Sequence, residues 1–335
     1  MISLGGTIAM TASAGGGVTP ALTADELLAA VPGLAETDVT VETIDFRRLP
    51  GASLGFEDLT AVAALIRDRT ASGVDGVVVV QGTDTIEETA YLLDLYHTGS
   101  QPVVVTGAMR NPTMAGADGP ANLLAAVQTA ASSAARDLGC LVVLADEIHA
   151  ARRVRKTHST AGSTFQSPNG GPLGYVVEGQ ARLLNGLSFR TAVPSPTGDR
   201  MPRVPLVVVA LGDDGVVFDC LDDRVDGVVI AGFGAGHLPQ HLVPAVQELA
   251  RRQPVVLASR TGAGSVLANT YGFPGSERDL LGKGLIAAGF LDPYKARILL
   301  RTLLAAGADH KMIAAAFAVA GGYTHQDGWP WTATR

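Results

Sequence analysis

Two threonines sit directly behind glycines at the ends of short apolar runs. Gly5-Gly6-Thr7-Ile8 closes the first run, and Gly82-Thr83-Asp84-Thr85 follows Val77-Val78-Val79-Val80. The carboxyl ends of strands are where an α/β sheet usually gathers its chemistry. A threonine hydroxyl becomes a nucleophile only with a nearby base and a polarised electrophile. Thr7 is the first choice for that role; its alternative is a residue in a tight turn. Thr83 or Asp84 can cap a helix beginning near Thr85. Alternatively, Thr83 supplies a second hydroxyl, and Asp84 holds a substrate ammonium or orients a lysine. Lys156, in Arg155-Lys156-Thr157, is the candidate partner for Thr83, either moving protons or holding charge nearby. Its alternative is an exposed cation in a basic turn. His149 and His158 lie close in sequence and are further acid–base candidates or surface residues. The amides around Gly51-Ala52-Ser53-Leu54 can hold a carboxylate, or form a plain loop. Gly15-Gly16-Gly17 makes the stretch after Thr7 permissive enough for a mobile cover or an inert loop. The Glu87-Glu88 pair reads as a favourable first turn of a helix.

These residues need a scaffold, and the first half of the chain supplies its rhythm. Strands are expected at 2–10, 39–46, 76–81, 102–106 and 140–145, with helical patterns at 57–69, 85–97 and 118–136. Asp118 is a candidate cap for the last helix. Apolar runs without polar alternation imply strands buried on both faces, as in a parallel sheet covered by helices. Residues 151–190 are less regular, and a β-hairpin excursion fits them better than another strand–helix unit. Four prolines at 194, 196, 202 and 205 mark 191–205 as a linker. A second α/β unit follows, with strands in Leu206–Leu211, Gly227–Ala231 and Pro254–Ser259. Its helices are expected near 238–252, 293–307 and 308–321, with Pro293 at a first helical position.

Composition narrows the function. The chain has 335 residues, 47% of them hydrophobic, which suits two domains: 1–190, the linker 191–205, and 206–335. A net charge of −7 without a basic stripe disfavours nucleic acid and anionic membranes as partners. Cys140 and Cys220 lie beside apolar runs and read as small core residues in a reducing compartment. No secretory pattern opens this sequence, which favours the cytoplasm, and no run has the length of a membrane span. The histidines are too scattered for a metal site. Gly232-Phe233-Gly234-Ala235-Gly236 lacks the glycine spacing and the following acid of a dinucleotide loop.

Taken in order, the motifs resemble the bacterial-type L-asparaginase and glutaminase-asparaginase family. They are Gly5-Gly6-Thr7-Ile8-Ala9, Gln81 through Ala90, Val105-Thr106-Gly107-Ala108-Met109-Arg110 and Asp118-Gly119-Pro120-Ala121-Asn122. Lys156-Thr157, Phe165-Gln166-Ser167-Pro168-Asn169, Ser259-Arg260-Thr261-Gly262 and Asp292 through Arg297 complete the series. The resemblance implies an α/β, two-domain asparaginase-like fold. Its larger N-terminal domain holds a flavodoxin-like parallel sheet and the catalytic residues, and its smaller C-terminal domain a second parallel sheet. It implies hydrolysis of L-asparagine to L-aspartate and ammonia, without cofactor or metal. Thr7 matches the primary nucleophile, Thr83 the second catalytic threonine, Asp84 its aspartate neighbour and Lys156 the catalytic lysine. Ser53 matches a serine that holds the substrate α-carboxylate, and Asp84 meets its ammonium. Glu277 matches an acidic residue that reaches a neighbouring subunit's site in a homotetramer of intimate dimers.

The chain departs from the family pattern in three places. Residues 10–20 hold no tyrosine, Leu54 replaces a polar glutamine, and Cys220–Asp223 lacks a clear counterpart of an interfacial asparagine. Other readings are a glutamine-preferring amidohydrolase, an amidase coupled to transfer-RNA amidation, and a non-catalytic amino-acid-binding protein.

Overall fold

A computed structural model describes residues 1–12, 18–196, 198, 200–221 and 224–331. The chain divides into two compact units, Met1–Arg190 and Thr191–Arg335.

The first unit is built on an eight-stranded sheet. Its order is Ile44–Asp45, Ile2–Ser3, Val77–Val80, Val103–Thr106, Cys140–Leu144, Glu147–Ala150, Gly174–Val177, Gln180–Leu183. The first five in that spatial order pair in parallel, so in chain order they run 2-1-3-4-5, the flavodoxin-like arrangement. The strands Val77–Val80, Val103–Thr106 and Cys140–Leu144 are buried throughout. That is why they carry no polar alternation. The sheet is mixed rather than purely parallel, because the last three strands add antiparallel. The expected hairpin excursion is Gly174–Val177 with Gln180–Leu183. Its turn residues Glu178 and Gly179 both have positive φ, 53° and 75°, which suits the right-handed twist of a two-residue hairpin.

Two expected strands are shorter than their apolar runs. The run 2–10 leaves the sheet after Leu4, whose amide still donates to the Val80 carbonyl at 2.8 Å. Gly5 and Gly6 then take φ of 97° and 88° and turn the chain into the 3-10 turn Thr7–Ala9. Met10–Ala12 forms a separate hairpin with Val18–Pro20. The run 39–46 pairs only at Ile44–Asp45, since at this sheet edge its one neighbour is the two-residue strand Ile2–Ser3. The helices Phe56–Ala71, Ile86–Tyr96 and Gly119–Ala131 lie where expected. Asp118 precedes the last of them without capping it. Its carboxylate accepts instead from the amides of Met109 and Arg110, at 3.0 and 2.8 Å, and closes the loop that follows Thr106.

The second unit has four parallel strands in sequential order: Leu206–Val208, Val228–Gly232, Val255–Ser259 and Ile286–Ala287. Val243–Arg252, Pro293–Ala305 and His310–Ala320 are its longer helices. Pro293 opens its helix behind Asp292, whose side chain caps the amides of Tyr294 and Lys295. Residues 191–205 group with this unit: Trp329 Nε1 donates to the Ala192 carbonyl at 2.8 Å and Arg297 Nε to that of Val204 at 2.8 Å. Cys140 is buried as its run suggests, whereas Cys220 is exposed, left at the end of the four-residue helix Val216–Asp219. Among the described residues no helix is long and apolar enough to cross a membrane.

His149 belongs to the fold rather than to acid–base chemistry. It is completely buried, and its Nδ1 lies 2.9 Å from Ser167 Oγ. The contact ties the Glu147–Ala150 strand to the segment following the short Arg155–Lys156 and Phe165–Gln166 hairpin. Nε2 is 3.2 Å from Glu147 Oε2, but no hydrogen bond forms there, as suits a neutral ring. Burial pushes the His149 imidazole from 6.5 down to about 4. Between those values the unfolded chain binds the proton and the folded chain does not, so stability falls as pH is lowered through that window. Urea unfolding of His149→Gln, compared with wild type from pH 7 to 4, should show a flatter decline for the variant.

Candidate active site

Three loops meet through three glycines. A Cβ added to Gly6 would stand 2.0 Å from the Gly82 nitrogen and 2.3 Å from its Cα. One added to Gly82 would stand 2.7 Å from the Gly51 nitrogen, and one on Gly51 2.8 Å from the Gly82 carbonyl oxygen. Only backbones without side chains approach this closely. Gly6 follows the Ile2–Ser3 strand, Gly51 the Ile44–Asp45 strand and Gly82 the Val77–Val80 strand. The loops therefore converge at the carboxyl edge, around the switch point where the order 2-1-3 reverses. Thr7 and Thr83 each come one residue after a contacting glycine, and Ser53 two after. Side chains lock the junction: Thr85 Oγ1 donates to the Gly51 carbonyl at 3.0 Å, and Gln81 Nε2 reaches the Gly82 carbonyl and Thr85 Oγ1, both at 3.2 Å. Gly107 closes the same corner, since a Cβ there would lie 2.5 Å from the Gln81 carbonyl oxygen and 3.4 Å from Thr83 Cγ2.

Lys156 arrives from the Arg155–Lys156 strand. Its Nζ donates to Thr83 Oγ1 at 3.0 Å and to Asp84 Oδ1 at 3.1 Å. Thr83 is buried and Asp84 exposed, so the cation bridges a sheltered hydroxyl and an open carboxylate. Capping does not account for either residue. The helix Ile86–Tyr96 has Thr85 as its N-cap and no side-chain capping bond. Thr7 is partly exposed in its 3-10 turn, and Ser53 is exposed at the end of the turn Gly51–Ser53. The structure thus gathers Thr7, Thr83, Asp84, Lys156 and Ser53 in one unit. His158 is apart from this chemistry: its Nδ1 accepts from the amides of Thr160 and Ala161, at 3.1 and 3.0 Å, and shapes its own turn.

Glu277, the remaining expected site residue, lies in the second unit. It is completely buried within the second unit. Oε1 accepts from the amides of Thr270 and Tyr271, at 3.0 and 2.8 Å, and Oε2 lies 3.2 Å from His237 Nε2. Burial works to raise its carboxyl, but the Tyr271 and Thr270 amides and His237 outweigh it and hold the group below the ordinary carboxylate range. A desolvated carboxylate needs internal partners, and within its own unit Glu277 has them. Glu87, read from the sequence only as a first-turn acid, has a further contact. It is buried, accepts from the Lys156 backbone amide at 3.2 Å, and lies 3.8 Å from Arg155 Nε. No local signal marks this contact, because its partners Lys156 and Arg155 lie far along the chain. Gly15-Gly16-Gly17, Asp222 and Asp223 lie outside the described residues. Among the described residues no cluster of three or more His, Cys, Asp or Glu could hold a metal.

A flavodoxin-like sheet with a hydroxyl–lysine–carboxylate cluster at its switch point, followed by a second parallel α/β unit, defines a two-domain α/β protein with the asparaginase architecture. The family described as "Asparaginase, N-terminal" matches residues 1–188, and "Glutaminase/Asparaginase C-terminal domain" matches 203–317. The chain belongs to the asparaginase family. It is 38% identical over 321 residues to "Probable L-asparaginase" of Deinococcus radiodurans, covering 95% of this chain and 96% of that protein. It is 33% identical to "Glutaminase-asparaginase" of Pseudomonas fluorescens biotype A, covering 93% and 87%. Among solved structures, "Probable Cytoplasmic L-asparaginase" from Campylobacter jejuni matches with TM-score 0.83 and 34% identity, covering 94% of this chain and 97% of that one.

The glycine junction makes a stability prediction. Gly73 also has positive φ, 98°, but nothing lies within 4 Å of an added Cβ. Gly73→Ala should cost only the left-handed strain, roughly 1–2 kcal/mol. Gly6→Ala adds a backbone collision and should cost at least about 3 kcal/mol in urea unfolding.

Proposed function

We propose that this protein hydrolyses the side-chain amide of L-asparagine to L-aspartate and ammonia, with Thr7 as nucleophile. The observation that carries this reading is the Lys156 bridge to Thr83 and Asp84, at 3.0 and 3.1 Å, beside the Gly6–Gly82 contact that brings Thr7 to the same edge. The names of the relatives support the choice of substrate.

In this reading Asp84 holds the substrate ammonium, and Ser53 with nearby amides holds its α-carboxylate. The Thr7 hydroxyl attacks the side-chain amide carbon, and its proton passes to the Thr83–Lys156–Asp84 cluster. Backbone amides and the Thr83 hydroxyl face the charge that develops on the amide oxygen. The cluster returns a proton to the departing nitrogen, and ammonia leaves a β-aspartyl ester on Thr7. Water then attacks the ester, releases L-aspartate and restores the threonine. The working assembly we favour is a homotetramer of intimate dimers, as the family resemblance implies. The cytoplasm is the compartment we favour, supported by the name of the Campylobacter jejuni neighbour.

The test is ammonia release from L-asparagine, L-glutamine and D-asparagine by wild type and Thr7→Ala. Wild type should favour L-asparagine. Thr7→Ala should still bind aspartate while turnover falls by roughly ten-thousand-fold. Preference for L-glutamine would replace the substrate assignment, and near-normal turnover by Thr7→Ala would remove Thr7 as nucleophile.

A further inference from the structure

We propose that Glu87 is a positioning residue for Lys156, holding the backbone of that lysine so that its Nζ meets Thr83. The proposal rests on the amidohydrolase reading above and deepens it. Arg155–Lys156 is a two-residue strand whose ladder partner is Phe165–Gln166. Those two strands form a sheet of their own, separate from the eight-stranded one. The main sheet's ladder therefore does not place Lys156, although Lys156 must meet a hydroxyl that the main sheet does place.

Glu87 bridges that gap. It lies in the first turn of the helix Ile86–Tyr96, which continues directly from the 3-10 turn Thr83–Thr85. Its Oε1 accepts from the Lys156 backbone amide at 3.2 Å. Further along the same lysine, Nζ donates to Thr83 Oγ1 and Asp84 Oδ1. Both ends of Lys156 are thus held by one short stretch, the 3-10 turn and the helix start that follows it, through residues 83, 84 and 87. Those anchor points lie within five consecutive residues, Thr83 to Glu87, of the stretch that follows the strand Val77–Val80. Oε2 of Glu87 lies 3.8 Å from Arg155 Nε, so the carboxylate also offsets the cation next to Lys156.

A favourable charge at a helix N-terminus does not explain this placement. Glu88, in the same first turn, could serve the helix dipole while remaining partly exposed. Glu87 is 6% exposed, and burying a carboxylate is costly unless it finds partners. Its partners include the amide of the lysine that reaches Thr83.

The experiment compares Glu87→Gln, Glu87→Asp and Lys156→Met in steady-state ammonia release from L-asparagine. Gln keeps the length and a carbonyl acceptor for the Lys156 amide, so kcat should stay within about threefold of wild type. Asp keeps the charge but withdraws the acceptor by about 1.5 Å. Its kcat should fall by up to about 100-fold with a much smaller change in KM, because Ser53 sits on a different loop, in the turn Gly51–Ser53. A purely structural role for Glu87 would move KM and kcat together. Wild-type kcat in Glu87→Asp, or a loss of about 30-fold or more in Glu87→Gln, would overturn the proposal. The Gln result decides alone if the Asp variant does not fold. Lys156→Met separates the two levels of the argument. If it turns over normally, the role given to Lys156 fails. If it is inactive while Glu87→Asp is unimpaired, only the Glu87 proposal falls.

Discussion

The contact of Gly6, Gly51 and Gly82 is the constraint on which the site depends. It brings three backbones closer than any side chain allows. Each backbone belongs to a loop at the carboxyl end of a different parallel strand, and each delivers a hydroxyl one or two residues later. The 2-1-3 strand order makes the contact reachable, because it sets the first and third strands side by side at the sheet's switch point. The left-handed turn at Gly5 and Gly6 then takes Thr7 out of the sheet. Sheet order and glycine chemistry together decide where the hydroxyls stand.

Polar burial divides into two kinds in this chain. Lys156, Thr83 and Asp84 form a bridge that stays partly open to solvent, as groups that must meet a substrate require. Glu277 and His149 are enclosed and satisfy their neighbours. Glu277 holds two loop amides and His237, and His149 meets Ser167. Glu87 stands between the two kinds: it is buried, yet it touches the lysine of the bridge. Burial alone therefore does not separate residues that make the scaffold from residues that serve the site. What a side chain touches does.

Much of this arrangement is legible in the residues. Unalternating valine runs announced the central parallel strands, and the irregular stretch 151–190 announced a hairpin excursion, whose turn at Glu178-Gly179 only the structure located. The order of the threonine, aspartate and lysine motifs matched one family. Other features were not legible, for physical reasons. Apolar content at 2–10 and 39–46 looked like full strands, but ladder length depends on how far a neighbour pairs. Asp118 has the right type and place for a cap, but the loop amides of Met109 and Arg110 claimed its carboxylate. Glu277 sits in the right motif, but only the three-dimensional fold shows it enclosed. The close approach of three glycines far apart in sequence leaves no local mark on any of them.

The most direct test of the central claim, that the glycine junction gathers the reacting hydroxyls around one substrate amide, is a crystal structure with L-aspartate bound. The account predicts Thr7 Oγ and Thr83 Oγ both within about 3.5 Å of the ligand's side-chain carboxylate, the approach expected of a near-attack geometry. Lys156 Nζ should remain on Thr83. Aspartate bound away from the glycine junction, or Thr7 Oγ more than about 6 Å from that carboxylate, would contradict it.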